Sequence, residues 1–95
     1  MIHILARINV KPESAAAARD ILTTLVNASR KEPGCIDYQL LQKADAAHVF
    51  QTVELWADQA SVDAHLAAAN VGAAIAAAGP LFTAPPEIVA FNKLL

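Results

Sequence analysis

The stretch CIDYQLLQKADAAHVFQTVELW, residues 35–56, decides the fold. In its first half Ile36, Tyr38 and Leu40 point one way and Asp37 and Gln39 the other, the period-two pattern of a strand over Cys35–Lys43. Its second half, His48–Trp56, is rich in β-branched and aromatic residues and reads as another strand. Only Ala44-Asp45-Ala46-Ala47 separates them, so the two must pair antiparallel as a hairpin.

Working outward, each flank of the hairpin carries a helix and a strand. Pro33-Gly34 closes a helix that starts at Pro12-Glu13, where proline loses no hydrogen bond and an acidic side chain suits the helix dipole. Ala15, Ala18, Ile21, Leu22, Leu25 and Ala28 form its apolar stripe. Before it, Ile2–Val10 alternates: Ile2, Ile4, Ala6, Ile8 and Val10 make one wholly apolar face, and His3, Leu5, Arg7 and Asn9 a mixed one. After the hairpin, Asp58 is an N-cap, and Val62, His65, Leu66 and Ala69 share a helical face. Asn70-Val71-Gly72 weakens that helix, Ala73–Ala78 resumes it, and Gly79-Pro80 ends it. Pro85-Pro86 leads into a last strand over Glu87–Lys93.

The order β-α-β-β-α-β specifies an α+β fold of ferredoxin-like type: a four-stranded antiparallel sheet with helices on one face, one domain over residues 1–95. Composition points further. The chain is 56% hydrophobic and 17% charged, against averages of roughly 45–50% and about 25%. Two helices cannot cover both faces of a sheet, so the bare face, carrying apolar residues such as those of the first strand, predicts a homodimer packed sheet to sheet. The 22 alanines are a separate matter and belong mainly to the helices. A net charge of −2 argues against nucleic acid as a partner. One cysteine excludes a disulfide framework or a multi-cysteine zinc site. The sequence holds no apolar run of about 18 residues and no signal segment, so no membrane is expected and the location is read as cytoplasmic.

Three groups of residues carry a resemblance. Glu32-Pro33-Gly34-Cys35-Ile36-Asp37-Tyr38 fits E-x-G-C-x-x-Y, Phe50 to Trp56 fits F-x-x-x-E-x-W, and His65 follows Glu54 at the matching distance. Together with an opening strand that ends in Val10-Lys11-Pro12-Glu13, the chain resembles the antibiotic biosynthesis monooxygenase (ABM) family over nearly its whole length. The resemblance implies a dimeric α+β barrel with a small-molecule pocket between each sheet and its helices. It implies oxidation of polycyclic phenols or quinols by O₂ without metal, flavin or haem; other relatives are isomerases, and one branch degrades haem. That branch's asparagine, tryptophan and histidine positions hold Leu5, His65 and Ile75 here, which argues against haem cleavage.

Oxidation without a cofactor needs the substrate as its anion, hence a base, charge stabilisers, apolar walls and exclusion of water. His65, on the apolar side of its helix, is the candidate base, and Glu54 its partner, orienting the ring or pairing with Arg7. Arg7 is a candidate for binding substrate or oxygen charge, Asn9 lies near it, and Tyr38 and Trp56 could stack on an aromatic substrate. Each also has a plainer reading: His65 and Glu54 as a structural pair, Arg7 as a dimer-edge cation, Asn9 as a cap, Tyr38 and Trp56 as core. Cys35 reads as a small buried apolar residue and His48 as solvated, and no histidine spacing suggests a metal site. The expectation is a monooxygenase for a small phenol or quinol with no bound cofactor. The alternatives are a keto-compound isomerase, which would need no O₂, and a ligand-binding dimer without chemistry. An open pocket of several hundred Å³ with convergent polar groups would favour an enzyme; a filled space would favour the binder.

Overall fold

The computed structural model describes all 95 residues. Strand β1 (Ile2–Asn9) runs into a 3₁₀ turn at Pro12–Ser14 and helix α1 (Ala15–Ser29). The hairpin follows as β2 (Cys35–Lys43) and β3 (Ala46–Trp56), then α2 (Gln59–Leu66), α3 (Ala69–Ala78), a 3₁₀ turn at Gly79–Leu81, and β4 (Glu87–Asn92). The sheet order is β2-β3-β1-β4 with every pair antiparallel, as the ferredoxin-like order requires. The register pairs Ile4 with Glu54, Ala6 with Thr52 and Ile8 with Phe50, so these six side chains share the helix-covered face.

Strand parity sets the two faces. The wholly apolar side of β1 lies under the helices, with Ile4, Ala6 and Ile8 buried. The bare face therefore carries the mixed side, His3, Leu5, Arg7 and Asn9, which corrects the expectation that the first strand's apolar stripe would be uncovered. Its apolar content comes from Leu5 together with Val53, Leu55, Val89 and Phe91 of the neighbouring strands.

Two local expectations are also corrected. Ile36 does not point inward: the register skips a residue between Cys35 and Asp37, and this bulge turns Ile36 out to half exposure. The break in the second helical segment falls at Ala67-Ala68, ahead of Asn70-Val71-Gly72, so there are three helices. Ala68 is extended, and the pieces on either side are bent by 49°. Asn70 and Val71 then lie in the first turn of α3, where N–H groups have no partner within the helix, and the Gly72 N–H already donates to the Ala68 carbonyl at 3.2 Å. The bend lets α3 lay Val71, Ala74 and Ala78 over the sheet. No single helix is long and apolar enough to cross a membrane.

The buried side chains form two clusters. Ile4, Val26, Tyr38, Trp56 and Val62 make one, and Ile8, Val10, Ala18, Leu22 and Phe50 the other. Between them the sheet offers small or polar side chains at Ala6 and Thr52, and α3 offers Ala74 and Ala78. The space left there is the candidate site.

Candidate active site

A cavity of about 80 Å³ lies between sheet and helices. Thirteen of its seventeen lining residues are hydrophobic, so whatever enters is mainly apolar. Ile4, Ala6 and Ile8 form the floor and Val71, Ala74 and Ala78 the roof, while Leu66, Ile75 and Ile88 are about half exposed. The polar groups gather at one side: Tyr38, Thr52, Glu54 and His65. Of the two sequence-based criteria the convergent polar groups are present, and the volume is well below several hundred Å³.

Glu54 is a buried carboxylate, which is costly unless its oxygens are paired. The Thr52 hydroxyl donates to Oε2 at 2.6 Å, and the Trp56 indole N–H donates to Oε1 at 2.9 Å. Both donors share its strand and face at i−2 and i+2, so β3 alone builds this cradle. Thr52 Oγ1 in turn accepts the Ala6 N–H at 3.2 Å. No buried side-chain polar atom is left without a partner.

His65 stands on the last turn of α2, stacked on Trp56 with ring centroids 4.5 Å apart and planes tilted by 33°. Its Nε2 is 3.7 Å from Glu54 Oε1, too long for a hydrogen bond. Its Nδ1 lies 2.7 Å from Oε2 of Glu32, a residue of the turn between α1 and β2. A carboxylate only accepts, so Nδ1 carries the hydrogen and donates it. In the neutral form of a ring held this way the lone pair is on Nε2, on the Glu54 side. Glu54 was the expected orienting partner; Glu32 holds that place. Glu32 stands in the motif that carried the family resemblance, but nothing local marked it as a partner of a histidine 33 residues away.

The turn holding Glu32 is pinned to α2. A Cβ on Gly34 would overlap the Ser61 side chain, so only glycine allows this approach. The Gly34 carbonyl accepts the Ala57 N–H at 3.0 Å. Asp58 caps α2 as expected, its Oδ1 accepting from Ser61 N at 2.8 Å and Ser61 Oγ at 2.7 Å. These bonds hold the Asp58 carboxyl below its ordinary value of 3.8. His65 follows Ser61 by one turn, so fixing Ser61 fixes His65.

Burial pushes the Tyr38 phenol up from 10.0, and the Glu54 carboxylate beside it pushes the same way. Tyr38 is therefore a neutral hydrogen-bond donor and not a base. Cys35 is likewise raised, first by burial and then by Glu32 and Glu54, which keeps its thiol protonated. It is half-buried against the Trp56 cluster. No three His, Cys, Asp or Glu side chains are placed to hold a metal ion.

The structure brings together Tyr38, Glu54 and His65 around the cavity, with Trp56 behind them. Three candidates need correction as lining residues. Arg7 pairs with Gln51 on the bare face, across the sheet from Glu54, so it neither lines the cavity nor pairs with that carboxylate. Asn9 shares that face, and the 3₁₀ turn after it has no side-chain cap. Trp56 is fully buried behind His65 and is not among the cavity-lining residues. In each case strand parity or packing order outweighs closeness in sequence.

The pattern of the family described as "Antibiotic biosynthesis monooxygenase" matches residues 1–77. The chain is 33% identical over 89 residues to the Bacillus subtilis protein named "Putative monooxygenase YcnE", covering 94% of each. Among solved structures it is similar to one titled a putative antibiotic biosynthesis monooxygenase from Caulobacter crescentus, at TM-score 0.92 and 28% identity over 99% of this chain and 90% of that one. A similarly titled structure from Nitrosomonas europaea superposes at TM-score 0.95 with 21% identity over the full length of both, a likeness of fold.

Proposed function

The chain belongs to the antibiotic biosynthesis monooxygenase family, and from that premise we propose that it is a cytoplasmic homodimer that oxidises a small quinol or phenol with O₂, without a bound cofactor. One observation carries the reading: a His65–Glu54 pair at the single polar side of an apolar cavity. His65 Nε2 removes the phenolic proton, and the resulting imidazolium is countered by Glu54 and Glu32. Tyr38, kept neutral, donates to the substrate oxygen. The phenolate gives electrons to O₂ far more readily than the phenol. For a quinol, one oxygen atom enters the ring as a hydroxyl, the ring becomes a quinone, and the second oxygen leaves as water. The quinol supplies every electron.

The cavity narrows the substrate class. At about 80 Å³ it is far from the roughly 300–1,000 Å³ of sites for drug-sized ligands, which favours one aromatic ring over the polycyclic substrates of some relatives. The dimer buries the bare face, where Val89 and Phe91 stand 40% and 50% exposed.

The test is O₂ uptake with a panel of one-ring and fused-ring quinols. One-ring quinols should be consumed, with His65→Ala at least tenfold slower. No uptake with any quinol would sink the oxidation reading, and conversion of a keto compound without O₂ would select the isomerase. Ala74→Leu, which fills the cavity from its roof, should abolish turnover while the protein stays folded.

A further inference from the structure

The opening of the cavity is built differently from its interior. Leu66 at the end of α2, Ile75 within α3 and Ile88 on β4 line the cavity and yet stand 47%, 54% and 50% exposed. They form its rim, with one side toward the cavity and the other toward solvent. Ile75 differs from its surroundings: the other exposed positions of α3 are Ala69, Gly72, Ala73, Ala76 and Ala77. Leu66 is likewise the one large apolar side chain exposed on α2. Two helices that otherwise meet water with small or polar side chains each put one large aliphatic side chain at the opening. Single exposed apolar residues are ordinary, but three from separate elements converging on a cavity mouth mark a binding surface.

The dimer proposed above leaves this rim free. Ile88 pairs with Ala6 and shares the helix-covered face, whereas Val89 and Phe91 lie on the opposite, bare face. The rim must therefore be covered by something that reaches it from the cavity side. A space of about 80 Å³ holds one aromatic ring, so a larger substituent on that ring has to leave through the opening. Nothing on its way offers a polar partner. Glu54 and His65 are the only charged or titratable lining groups besides Tyr38, and all three sit at the polar side where the ring oxygen is held. The Thr52 hydroxyl is already engaged by Glu54 and the Ala6 N–H. The path out is aliphatic, and an aliphatic substituent fits it.

We propose, resting on the reading of the cavity as a phenol site, that the substrate is an alkyl-substituted one-ring phenol or quinol whose ring fills the cavity and whose chain lies across Leu66, Ile75 and Ile88. The chain takes no part in the chemistry. It removes water from the rim and selects among rings of equal size, so that a carboxylate in its place loses the contact and gains no partner.

The test is binding, measured without O₂ so that no turnover intervenes. Meta- and para-alkylphenols, from ethyl to hexyl, are titrated calorimetrically. The fluorescence of Trp56, the only tryptophan and the ring stacked on His65, reports occupancy of the cavity. A methylene wholly removed from water is worth roughly fourfold in affinity, so a rim covering one side of the chain should give about twofold per methylene, and hexylphenol should bind at least tenfold tighter than ethylphenol in the better isomer. In the double variant Leu66→Gln, Ile75→Gln, at positions already half exposed, the series should become flat while ethylphenol still binds. A flat series in the wild-type protein, or a rise that persists in the double variant, overturns the proposal. So does a change of sedimenting species in the double variant, which would show that another copy of the chain covers the rim. Ethylphenol binding with a flat series would leave the cavity reading standing without the rim. A rising series in a protein that consumes no O₂ with any alkylquinol would leave the rim site standing and refute the oxidation reading.

Discussion

Gly34→Ala tests how the site is assembled. None of the glycines has a positive φ, so alanine is not excluded at position 34 by backbone conformation. The obstacle is Ser61: an added Cβ overlaps both its Oγ and its Cβ. Rotating the hydroxyl away relieves only half of this, because the Ser61 Cβ stays where the helix puts it. The hydroxyl is also tied to Asp58 Oδ1 at 2.7 Å. The first turn of α2 must therefore move away from the turn at Pro33-Gly34. Overpacking of this kind costs about 1–3 kcal/mol. For a domain of roughly 60–100 residues each kcal/mol lowers Tm by about 4–8 °C, so the expected drop is on the order of 5–20 °C. The same displacement separates His65 from Glu32, since each lies within a few residues of the clash, so activity should fall even in the folded protein. The assay is thermal unfolding at one fixed protein concentration, with the partner variant Ser61→Gly and the double variant completing a cycle. Ser61→Gly removes both clashing atoms and should restore most of what Gly34→Ala loses, a coupling of about 1 kcal/mol or more. A Tm within 1–2 °C (roughly the assay scatter against the shift expected) for Gly34→Ala, or strictly additive variants, would refute the close-approach reasoning.

Four further outcomes are expected. Gly72 has open space where a Cβ would sit and lies inside α3, so Gly72→Ala should stabilise by about 0.5–1 kcal/mol in denaturant unfolding. Thr52→Val keeps shape but removes a donor from the buried Glu54 carboxylate and an acceptor from Ala6 N–H; a loss of about 2 kcal/mol or more is expected by the same measurement. Tyr38 is the only tyrosine, so ultraviolet titration reports it alone: the native protein should show no tyrosinate near pH 10, where the unfolded chain ionises. The folded phenol holds its proton when the unfolded one has lost it, so stability is unaffected below pH 10.0 and falls as pH rises above it. Phe91→Asp on the bare face should convert a sedimenting dimer to monomer, weakening association on the order of a hundredfold or more; a dimer of unchanged affinity would place the interface elsewhere.

The order of elements was legible because its signals are local: alternation in β1 and β2, Pro33-Gly34 after α1, and Asp58 before α2. The helix break was not, because Ala67, Ala68 and Ala69 all favour helix and no residue there marks a stop. Packing sets it, since α3 must turn to lay Ala74 and Ala78 on the sheet. Arg7 shows a partial reading. Its parity with His3 and Asn9 is plain in the sequence, but which side of β1 the helices cover is a tertiary fact, and it is the side opposite Arg7. The cavity had an overlooked signal, the small Ala6 between Ile4 and Ile8 on the covered face.

Glu32 was hidden for a related reason. A turn has no periodicity to betray which way a side chain points, and its partner comes from a different element. What brings the two together is the closeness of backbone at Gly34 and Ser61. The Asp58 cap fixes where α2 begins, the Gly34 contact fixes how near α2 lies to the turn, and the helix repeat then delivers His65 one turn later. Glu54 needs none of this, since its cradle of Thr52 and Trp56 is built within β3. The two halves of the site thus rest on different foundations, one on strand parity and the other on a tertiary approach. Lesions at Gly34 or Ser61 should therefore disturb His65 and Glu32 while leaving Glu54 buried and paired.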